Sequence, residues 1–458
     1  MDHRLPALPL LLLFAGAAAA QAGQSTFGDA RARQLAELGR LPGVRDIVVR
    51  DLINYHRHRL PLPKAGDDVA LDLRFDRDAA LPGDEVWLQV GYTAAPQGDR
   101  TLAGPCAVAL VVDVSGSMQE AGKLTAVKAG LRAFVDRLRA DDDVALVTFS
   151  RDARVVSPVR RRGDGRWLLD AIERLEPEHS TNLHAGLMLG IAELTKSELP
   201  GAGRRVILLT DGIANTGVVA PDQILADAAR AGSNIDISTI GVGQNLDTAL
   251  LQRLADGARG LFHFVADPVD VQKVFVDEAD ALLAAMARRV ALTVQVPRSL
   301  EVVRVYQDGV QWEDSTFEVR LPDLNAGATG VVLVQCRARE TAARDARARA
   351  SLRYEGGTSR TTRTAEATAA LPLRAAAGPP DVEVRRNATI AVLAQGLAAM
   401  ASACDERRWA DADRALHRAS DDADRLFPGN DADLQRVRDI AAGHARTLRR
   451  YVDRFRDY

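Results

Sequence analysis

The sequence predicts an α/β domain with a doubly wound, mainly parallel sheet that is inserted into a β-sandwich and followed by a helical bundle. Three observations predict this order. Apolar strands alternate with helical patterns from about residue 104 to residue 287. On either side, residues 67–102 and 290–374 show the single-residue alternation of half-buried strands. Residues 381–458 then show apolar side chains at helical spacing.

The central region is predicted to be Rossmann-like. Its strands are apolar on both faces, which is typical of a parallel sheet covered by helices on both sides. Strands are predicted at 107–112, 143–149, 205–210, 235–241 and 261–265. Helices are predicted at 121–139, 165–175, 183–195, 220–232, 247–257 and 268–287. A short strand at 154–158 is expected to pair antiparallel at the edge of the sheet.

The flanking strands indicate that the α/β domain interrupts a sandwich. The turn signal Leu81-Pro82-Gly83-Asp84 separates the two strands that precede the domain. The strands from residue 290 to residue 374 are expected to pair with them, and two separate small β units are the alternative. A polar lead segment, residues 24–66, precedes the first strand.

The tail is predicted to be a small helical bundle. Helices are expected at about 386–404, 407–426 and 431–456, and Pro428-Gly429-Asn430 separates the last two. Apolar residues in the last helix recur at helical spacing: Leu434, Val437, Ala441, Leu448, Val452 and Phe455. A repeat-type helical hairpin is the alternative, although no second copy supports it.

The N-terminus predicts export. A short charged start is followed by an apolar run that ends in Ala18-Ala19-Ala20, which is the order of a secretory signal peptide over residues 1–20. An uncleaved signal anchor is the alternative. No later stretch of 18 apolar residues is expected, so no stable membrane insertion is predicted after cleavage. We therefore expect a periplasmic or extracellular protein.

Composition excludes several classes of protein. The chain has 458 residues, is 47% hydrophobic and 26% charged, and carries a formal net charge of -3. These values are typical of an ordinary globular chain and give no basic excess for nucleic acid. The cysteines Cys106, Cys336 and Cys404 lie far apart and show no metal-ligand spacing, so each is expected to be a buried apolar residue without an assigned disulfide.

Small oxygen-bearing side chains follow the first central strand. Asp113, Ser115 and Ser117 stand at alternate positions where that strand ends, and Asp211 ends a second strand. Thr181 opens the helix predicted at 183–195. Because ligands bind outside the carboxyl ends of strands in open parallel sheets, we expect these residues to meet at one edge. Two carboxylates and several hydroxyls favour a hard cation, Mg²⁺ first and Mn²⁺ or Ca²⁺ as alternatives.

These residues resemble a known motif. Asp113-Val114-Ser115-Gly116-Ser117 resembles the DxSxS of the metal-ion-dependent adhesion site in von Willebrand factor type A domains. The threonine and the aspartate of that site fall on Thr181 and Asp211, and the resemblance covers about residues 104–287. It implies that the serines and the threonine contact the cation, that the acids act directly or through water, and that a partner's carboxylate completes the site.

The flank resembles a narrower group. Asp51-Leu52-Ile53-Asn54-Tyr55, followed by Leu60-Pro61-Leu62-Pro63, is similar to the segment ahead of the type A domain in exported bacterial proteins of the YfbK-like group. The residues beyond 290 are not matched to that group. The resemblance does not settle a molecular function for the group.

The sequence therefore predicts a binding protein and not an enzyme, with an Asp or Glu of a partner protein as its ligand. A structural envelope scaffold with a silent metal site is the main alternative. A P-loop fits poorly, because five residues separate Gly116 from Gly122-Lys123 and Leu124 replaces the hydroxyl. A hydrolase would use Ser115 or Ser117 with His184 as base, but the nucleophile-elbow motif is absent.

Overall fold

The computed structural model describes eight stretches of the chain: 27–96, 105–178, 180–243, 246–283, 285–340, 343–356, 361–373 and 378–455. The predicted signal peptide, residues 1–20, lies outside the described residues. The helices are Phe27–Glu37 (α1), Val49–Asn54 (α2), Lys123–Arg137 (α3), Arg166–Glu173 (α4), Leu183–Thr195 (α5), Pro221–Ala231 (α6), Thr248–Gly257 (α7), Val271–Leu283 (α8), Val382–Asp405 (α9), Trp409–Leu426 (α10) and Ala432–Phe455 (α11).

The strands of the central sheet are Cys106–Asp113 (β3), Asp143–Phe149 (β4), Ala153–Arg161 (β5), Gly203–Thr210 (β6), Asp236–Val242 (β7) and Arg259–Val265 (β8). The flanking strands are Val69–Phe75 (β1), Glu85–Ala94 (β2), Ala285–Gln295 (β9), Leu300–Val305 (β10), Gln311–Glu313 (β11), Thr316–Arg320 (β12), Leu324–Asn325 (β13), Thr329–Ala338 (β14), Asp345–Gly356 (β15) and Thr361–Pro372 (β16).

The central sheet is doubly wound, which confirms the predicted fold class. Its strand order is β5-β4-β3-β6-β7-β8, and β4, β3, β6, β7 and β8 run parallel. The edge strand β5 is antiparallel to β4, as the sequence predicts. The chain continues from β3 to β4 on one side, and β6 later pairs with the other side of β3. The sheet therefore changes winding direction at β3, where open α/β sheets bind ligands.

The alternation within β3 explains why every residue of the strand is apolar until Asp113. Val108, Leu110 and Val112 pack in one cluster with α3, α4 and α8, whereas Ala109 and Val111 pack in another with α5, α6 and α7. Both faces are thus removed from water, as a parallel sheet between helical layers requires. The first polar side chain of the strand comes only where the cover of helices ends.

Helix α5 lies unusually close to the sheet. A Cβ atom on Gly190 would stand 2.3 Å from Cγ2 of Val111, and one on Gly186 would stand 2.5 Å from Cδ1 of Phe149. Only glycine permits this approach, because real Cβ contacts do not become so short. The two glycines therefore bring the start of α5, and the loop before it, against the carboxyl ends of β3 and β4.

The flanking strands form two further sheets that enclose one apolar core. The first has the order β1-β2-β14-β10, so strands on either side of the central domain are hydrogen-bonded to each other. The second has the order β11-β12-β9-β15-β16, with β13 also paired to β9. Their facing side chains pack in a single cluster. The insertion of the α/β domain into a sandwich, predicted from the sequence, is confirmed.

The boundary between α8 and the second sheet differs from the prediction. A helix is expected to residue 287 and a strand from residue 291, but α8 ends at Leu283 and β9 begins at Ala285. Ala285 and Ala287 pair with β13, and Ala287 also pairs with Gly356 of β15. Alanine is the strongest helix former, but intrinsic propensity is weak compared with tertiary contacts, so this strand pairing overrides the local preference.

The terminal helices and the lead segment share a second core. Residues of α1, α2, α9, α10 and α11 pack together and against Trp87, Val331 and Leu333 on the outer face of the first sheet. The lead segment, expected to be polar, thus contributes two helices to this layer. The reason is that its apolar residues, including Leu52 and Ile53, are buried by the tail.

Helix α9 corrects the expectation that no long apolar stretch follows the N-terminal run. Among the described residues, it is the one helix that is long and apolar enough to cross a membrane. In the structure 72% of its apolar window is buried inside the protein, and the core helix of a globular domain meets the same criteria. The cysteines Cys106, Cys336 and Cys404 are buried with free thiols.

Candidate metal centre

Asp113 ends β3 with its side chain fully buried. Its Oδ1 accepts a hydrogen bond from the backbone N–H of Ser115 at 2.8 Å, and its Oδ2 accepts one from Oγ1 of Thr210 at 2.6 Å. Burial raises the pKa of Asp113 to about 6, and the hydrogen bonds from Thr210 and Ser115 oppose that rise. Two donors therefore fix the carboxylate while leaving lone pairs on both oxygens.

The two serines connect Asp113 to the loop after β6. Oγ of Ser115 lies 3.1 Å from Oγ of Ser117, and Oγ of Ser117 donates to Oδ1 of Asp211 at 2.7 Å. These residues begin a 3₁₀ turn, Gly116–Gly122, in which the chain reverses towards α3. Four of the five predicted site residues are thus joined by a continuous set of hydrogen bonds.

Thr181 approaches from the third loop. Its backbone N–H donates to Oδ1 of Asn215 at 2.9 Å, and its carbonyl accepts from the N–H of Asn215 at 3.1 Å. A Cβ atom on Gly212 would lie 3.5 Å from Oγ1 of Thr181, so that hydroxyl borders the residue next to Asp211. Ser180 has a φ of 67°, a left-handed conformation that costs a non-glycine residue about 1 kcal/mol or more. Such strain is concentrated at functional sites.

Lys123 belongs to the same cluster, although the sequence analysis did not place it there. Its Nζ lies 2.7 Å from Oδ2 of Asp211 and 3.4 Å from the carbonyl oxygen of Ser117. The side chain of Asp211 is fully buried and that of Lys123 is 14% exposed. Both oxygens of Asp211 therefore have protein donors, a hydroxyl on one and an ammonium on the other.

The donor set fits a hard divalent cation. Asp113, Ser115, Ser117, Thr181 and Asp211 offer only oxygen, and the hydroxyls of the two serines and the carboxylates are within hydrogen-bonding distance of one another. Among the described residues, no group of three or more His, Cys, Asp and Glu side chains could hold a metal ion. Oxygen donors of this kind, carboxylates together with hydroxyls, suit hard cations such as Mg²⁺, Mn²⁺ and Ca²⁺.

His184 and Ser117, the base and one of the nucleophiles that a hydrolase would use, contact other residues and not each other. His184 has its Nε2 3.0 Å from Oδ2 of Asp227 on α6, which engages that ring nitrogen away from the serines. Ser117 is bonded to Asp211 and not to an imidazole. Glu120 is 77% exposed in its side chain and stands 3.9 Å from Lys123. His179 lies outside the described residues.

Sequence reasoning missed three residues that shape the centre: Thr210, Asn215 and Lys123. Thr210 directly precedes Asp211, so a hydroxyl at the end of a strand beside an acid was a usable signal. In the sequence, Lys123 stands out only in the Gly122-Lys123 pair, which does not fit a P-loop. Asn215 positions Thr181 from a loop 34 residues away, and no local pattern in the sequence indicates that contact.

Comparison with known proteins identifies the class. Residues 107–276 match the family described as the von Willebrand factor type A domain. The chain therefore carries such a domain, and the resemblance seen in the sequence is confirmed. Domains of this family typically mediate protein–protein interaction.

Two curated relatives and one solved structure extend the comparison. The chain is 29% identical over 276 residues to the uncharacterized protein YfbK of Escherichia coli, covering 58% of this chain and 48% of YfbK. It is 29% identical over 269 residues to the uncharacterized protein sll0103 of Synechocystis, covering 56% of this chain and 63% of sll0103. The chain thus spans between about half and two thirds of these relatives.

One solved structure resembles most of the chain in fold. A von Willebrand factor type A protein from Catenulispora acidiphila aligns with a TM-score of 0.57 at 19% identity. The alignment covers 84% of this chain and 91% of that one. The likeness therefore extends beyond the type A domain to the surrounding elements.

Proposed function

We propose that this chain is an exported binding protein whose type A domain uses one divalent cation to recognise an acidic side chain of a partner protein. The observation that carries the proposal is the convergence of two loops on one set of oxygens, in which Ser117 links Ser115 to Asp211, with the hydroxyl of Thr181 from a third loop beside Gly212. Within the part of the chain that the structure describes, Ser117 donates to a carboxylate and His184 contacts Asp227, an arrangement that supports binding over turnover.

Asp113, Ser115, Ser117, Thr181 and Asp211 would hold the cation, with Mg²⁺ as the first choice. A bound cation would supply an electrophilic position for the carboxylate of a partner's Asp or Glu. The chain's own contribution is to keep the donors in place: Thr210 and the Ser115 N–H hold Asp113, and Asn215 holds Thr181. Export is supported by the charged, apolar and small segments at the N-terminus.

The first test is thermal unfolding of the full chain in EDTA, Mg²⁺, Mn²⁺ and Ca²⁺. A cation that binds only the folded state raises its stability, by about 2.7 kcal/mol at a concentration of 100 times Kd. We expect a cation-dependent rise in the midpoint for the wild-type protein and none for Asp113→Ala. Glu120→Ala is the matched control, because that exposed acid lies beside the cluster, and it should keep the rise.

The second test is capture of envelope proteins with the immobilised chain, with and without EDTA. Partners that are retained in Mg²⁺, released by chelator and not retained by Asp113→Ala support the proposal. If the midpoint is unaffected by every cation, or if partner binding survives both chelation and Asp113→Ala, the chain acts as a scaffold with a silent site.

A further inference from the structure

Lys123 is an internal cation at the candidate metal centre. Its Nζ stands 2.7 Å from Oδ2 of Asp211, whose other oxygen accepts from Ser117. The pair is largely removed from water, since the aspartate side chain is fully buried and the lysine is 14% exposed. An ion pair in this setting is screened much less than one on the surface.

The fold holds the lysine in this position from two sides. Gly122, with a φ of 69°, ends the 3₁₀ turn and directs Lys123 to the first position of α3. Gly243, with a φ of 90°, follows β7, and a Cβ atom there would lie 3.6 Å from Cε of Lys123. The lysine stem thus lies against the backbone after β7 and its ammonium reaches Asp211.

This placement changes the charge of the centre. The buried carboxylates of Asp113 and Asp211 with the Lys123 ammonium carry a net charge of -1, whereas these two carboxylates alone would carry -2; the nearby Glu120 is 77% exposed, and water screens its charge. With a divalent cation added, the centre would be positive with the lysine and neutral without it. The lysine therefore opposes the entry of a cation and favours the entry of an anion afterwards.

We propose that Lys123 is a positioning residue that lowers the cation affinity of the centre and makes cation and carboxylate binding cooperative. This inference rests on the function proposed above and adds how that site is regulated: the cation is held weakly until an acidic ligand supplies the missing negative charge. Because such coupling is reciprocal, the acidic ligand is likewise held only when the cation is present.

The test compares four full-length proteins by calorimetric titration with MgCl₂: wild type, Lys123→Met, Lys123→Arg and Lys128→Met. Lys123→Met should bind Mg²⁺ at least tenfold more tightly, because a nearby positive charge is lost while Ser117 still positions Asp211. Lys123→Arg keeps the charge and should stay closer to wild type than to Lys123→Met. Lys128 lies on the same helix and donates to the carbonyl of Glu173, so Lys128→Met should match wild type.

Thermal unfolding in EDTA provides a second measurement, in which Lys123→Met is expected to weaken the protein although it tightens Mg²⁺ binding. Lys123→Met should unfold at a lower temperature than wild type when no cation is present, because Asp211 loses its buried partner. A residue with only a structural role would lower this midpoint without tightening cation binding. Tightened binding together with a lowered midpoint is therefore the signature of an internal counter-ion.

Acetate tests the coupling as a simple carboxylate ligand. Replacing chloride with acetate at constant ionic strength should tighten Mg²⁺ binding to wild type and do so less for Lys123→Met. Equal Mg²⁺ affinity in wild type and Lys123→Met, or equal acetate effects, would overturn the role of Lys123 while leaving the cation site intact. Absence of Mg²⁺ binding in all four proteins would instead overturn the proposed function itself.

Discussion

The two ends of the central sheet each bury an acidic side chain, and the pKa values of these two acids shift in opposite directions. At the carboxyl end, the Lys123 ammonium pairs with Asp211, and burial raises the pKa of Asp113 to about 6. At the amino end, Glu278 of α8 is also fully buried, yet its pKa is lowered. Burial alone would raise the pKa of Glu278, but Arg205, His263 and Ser238 together outweigh it.

At the amino end, three side chains contact the buried carboxylate of Glu278. Oε1 of Glu278 accepts from Nη1 of Arg205 at 3.0 Å and from Oγ of Ser238 at 2.6 Å, and Oε2 lies 3.1 Å from Nε2 of His263. Asp323 of the sandwich region stands 3.8 Å from Arg205 and covers this end of the sheet. Through Arg205, this cluster connects the sheet to Glu278 of α8 and to Asp323 of the sandwich region.

The difference indicates which buried charges stabilise this fold and which serve a ligand. At Glu278 the cation and the hydrogen bonds outweigh burial and lower the pKa, whereas burial still raises the pKa of Asp323 beside the same arginine. At Asp113 burial outweighs the hydrogen bonds from Thr210 and Ser115 and raises the pKa, and a bound cation would offset the cost of ionising this carboxyl group. The perturbed acid at an open edge is the better functional candidate.

The largest expected effect is at the amino end. Arg205→Met leaves Glu278 buried without its main cation, and breaking a buried pair in this way costs about 3–5 kcal/mol. We therefore expect a large drop in the urea midpoint of unfolding. The remaining folded protein should keep its Mg²⁺-dependent rise in stability, because the carboxyl end is unchanged.

The double variant Arg205→Met with Glu278→Leu is the control for that experiment. Replacing both partners removes the uncompensated charge and should recover part of the lost stability. If the single variant is as stable as wild type, the two ends of the sheet do not differ as described, and Glu278 is supported by its other donors alone.

The next effect is a pH dependence that belongs to Asp113. An unfolded aspartate loses its proton near pH 4, whereas Asp113 in the fold loses it near pH 6. Between these values the folded state binds more protons, so the free energy of unfolding in EDTA should rise as the pH falls from 6 to 4. The gain due to this residue is at most about 3 kcal/mol.

Asp113→Asn isolates that contribution from the other titrating groups. The wild-type and Asp113→Asn unfolding free energies, measured in urea and EDTA, should differ by an amount that changes between pH 4 and pH 6. A difference that is constant over this range would show that the carboxylate is no more costly in the fold than in the unfolded chain.

The strand ends were predictable from the sequence because local patterns determine them. Continuous apolar runs interrupted by Asp113 and Asp211 mark both the buried strands and the edge at which their carboxylates meet. The contacts that set the electrostatics were not predictable in the same way. Lys123 and Asp211 are 88 residues apart, and Arg205 and Glu278 are 73 apart. Their pairing depends on how helices dock on the sheet, which no periodicity describes.

The start of β9 likewise depends on contacts between distant parts of the chain, which the sequence does not indicate. The alanine-rich residues after Leu283 suit a helix by propensity, and only pairing with β13 and β15 makes them a strand. Helix α1 was likewise unexpected, since its buried face exists only once α11 packs against it. His444 of α11, for example, has its Nε2 3.0 Å from the carbonyl of Ala32.

The smallest expected effect concerns the hydroxyl that supports Asp113. Thr210→Val removes the 2.6 Å hydrogen bond to Oδ2 of a buried carboxylate, and a bond to a charged group contributes about 2 kcal/mol. We expect a loss of that size in EDTA at pH 7 and several-fold weaker Mg²⁺ binding by calorimetry, because Ser115 then has to hold Asp113 without the threonine hydroxyl. Thr210→Ser keeps the hydroxyl and should retain both properties. Equal losses in the serine and valine variants would contradict this prediction. Thr210 would then support the carboxyl end of the sheet through the packing of its γ-methyl group and not through its hydrogen bond to Asp113.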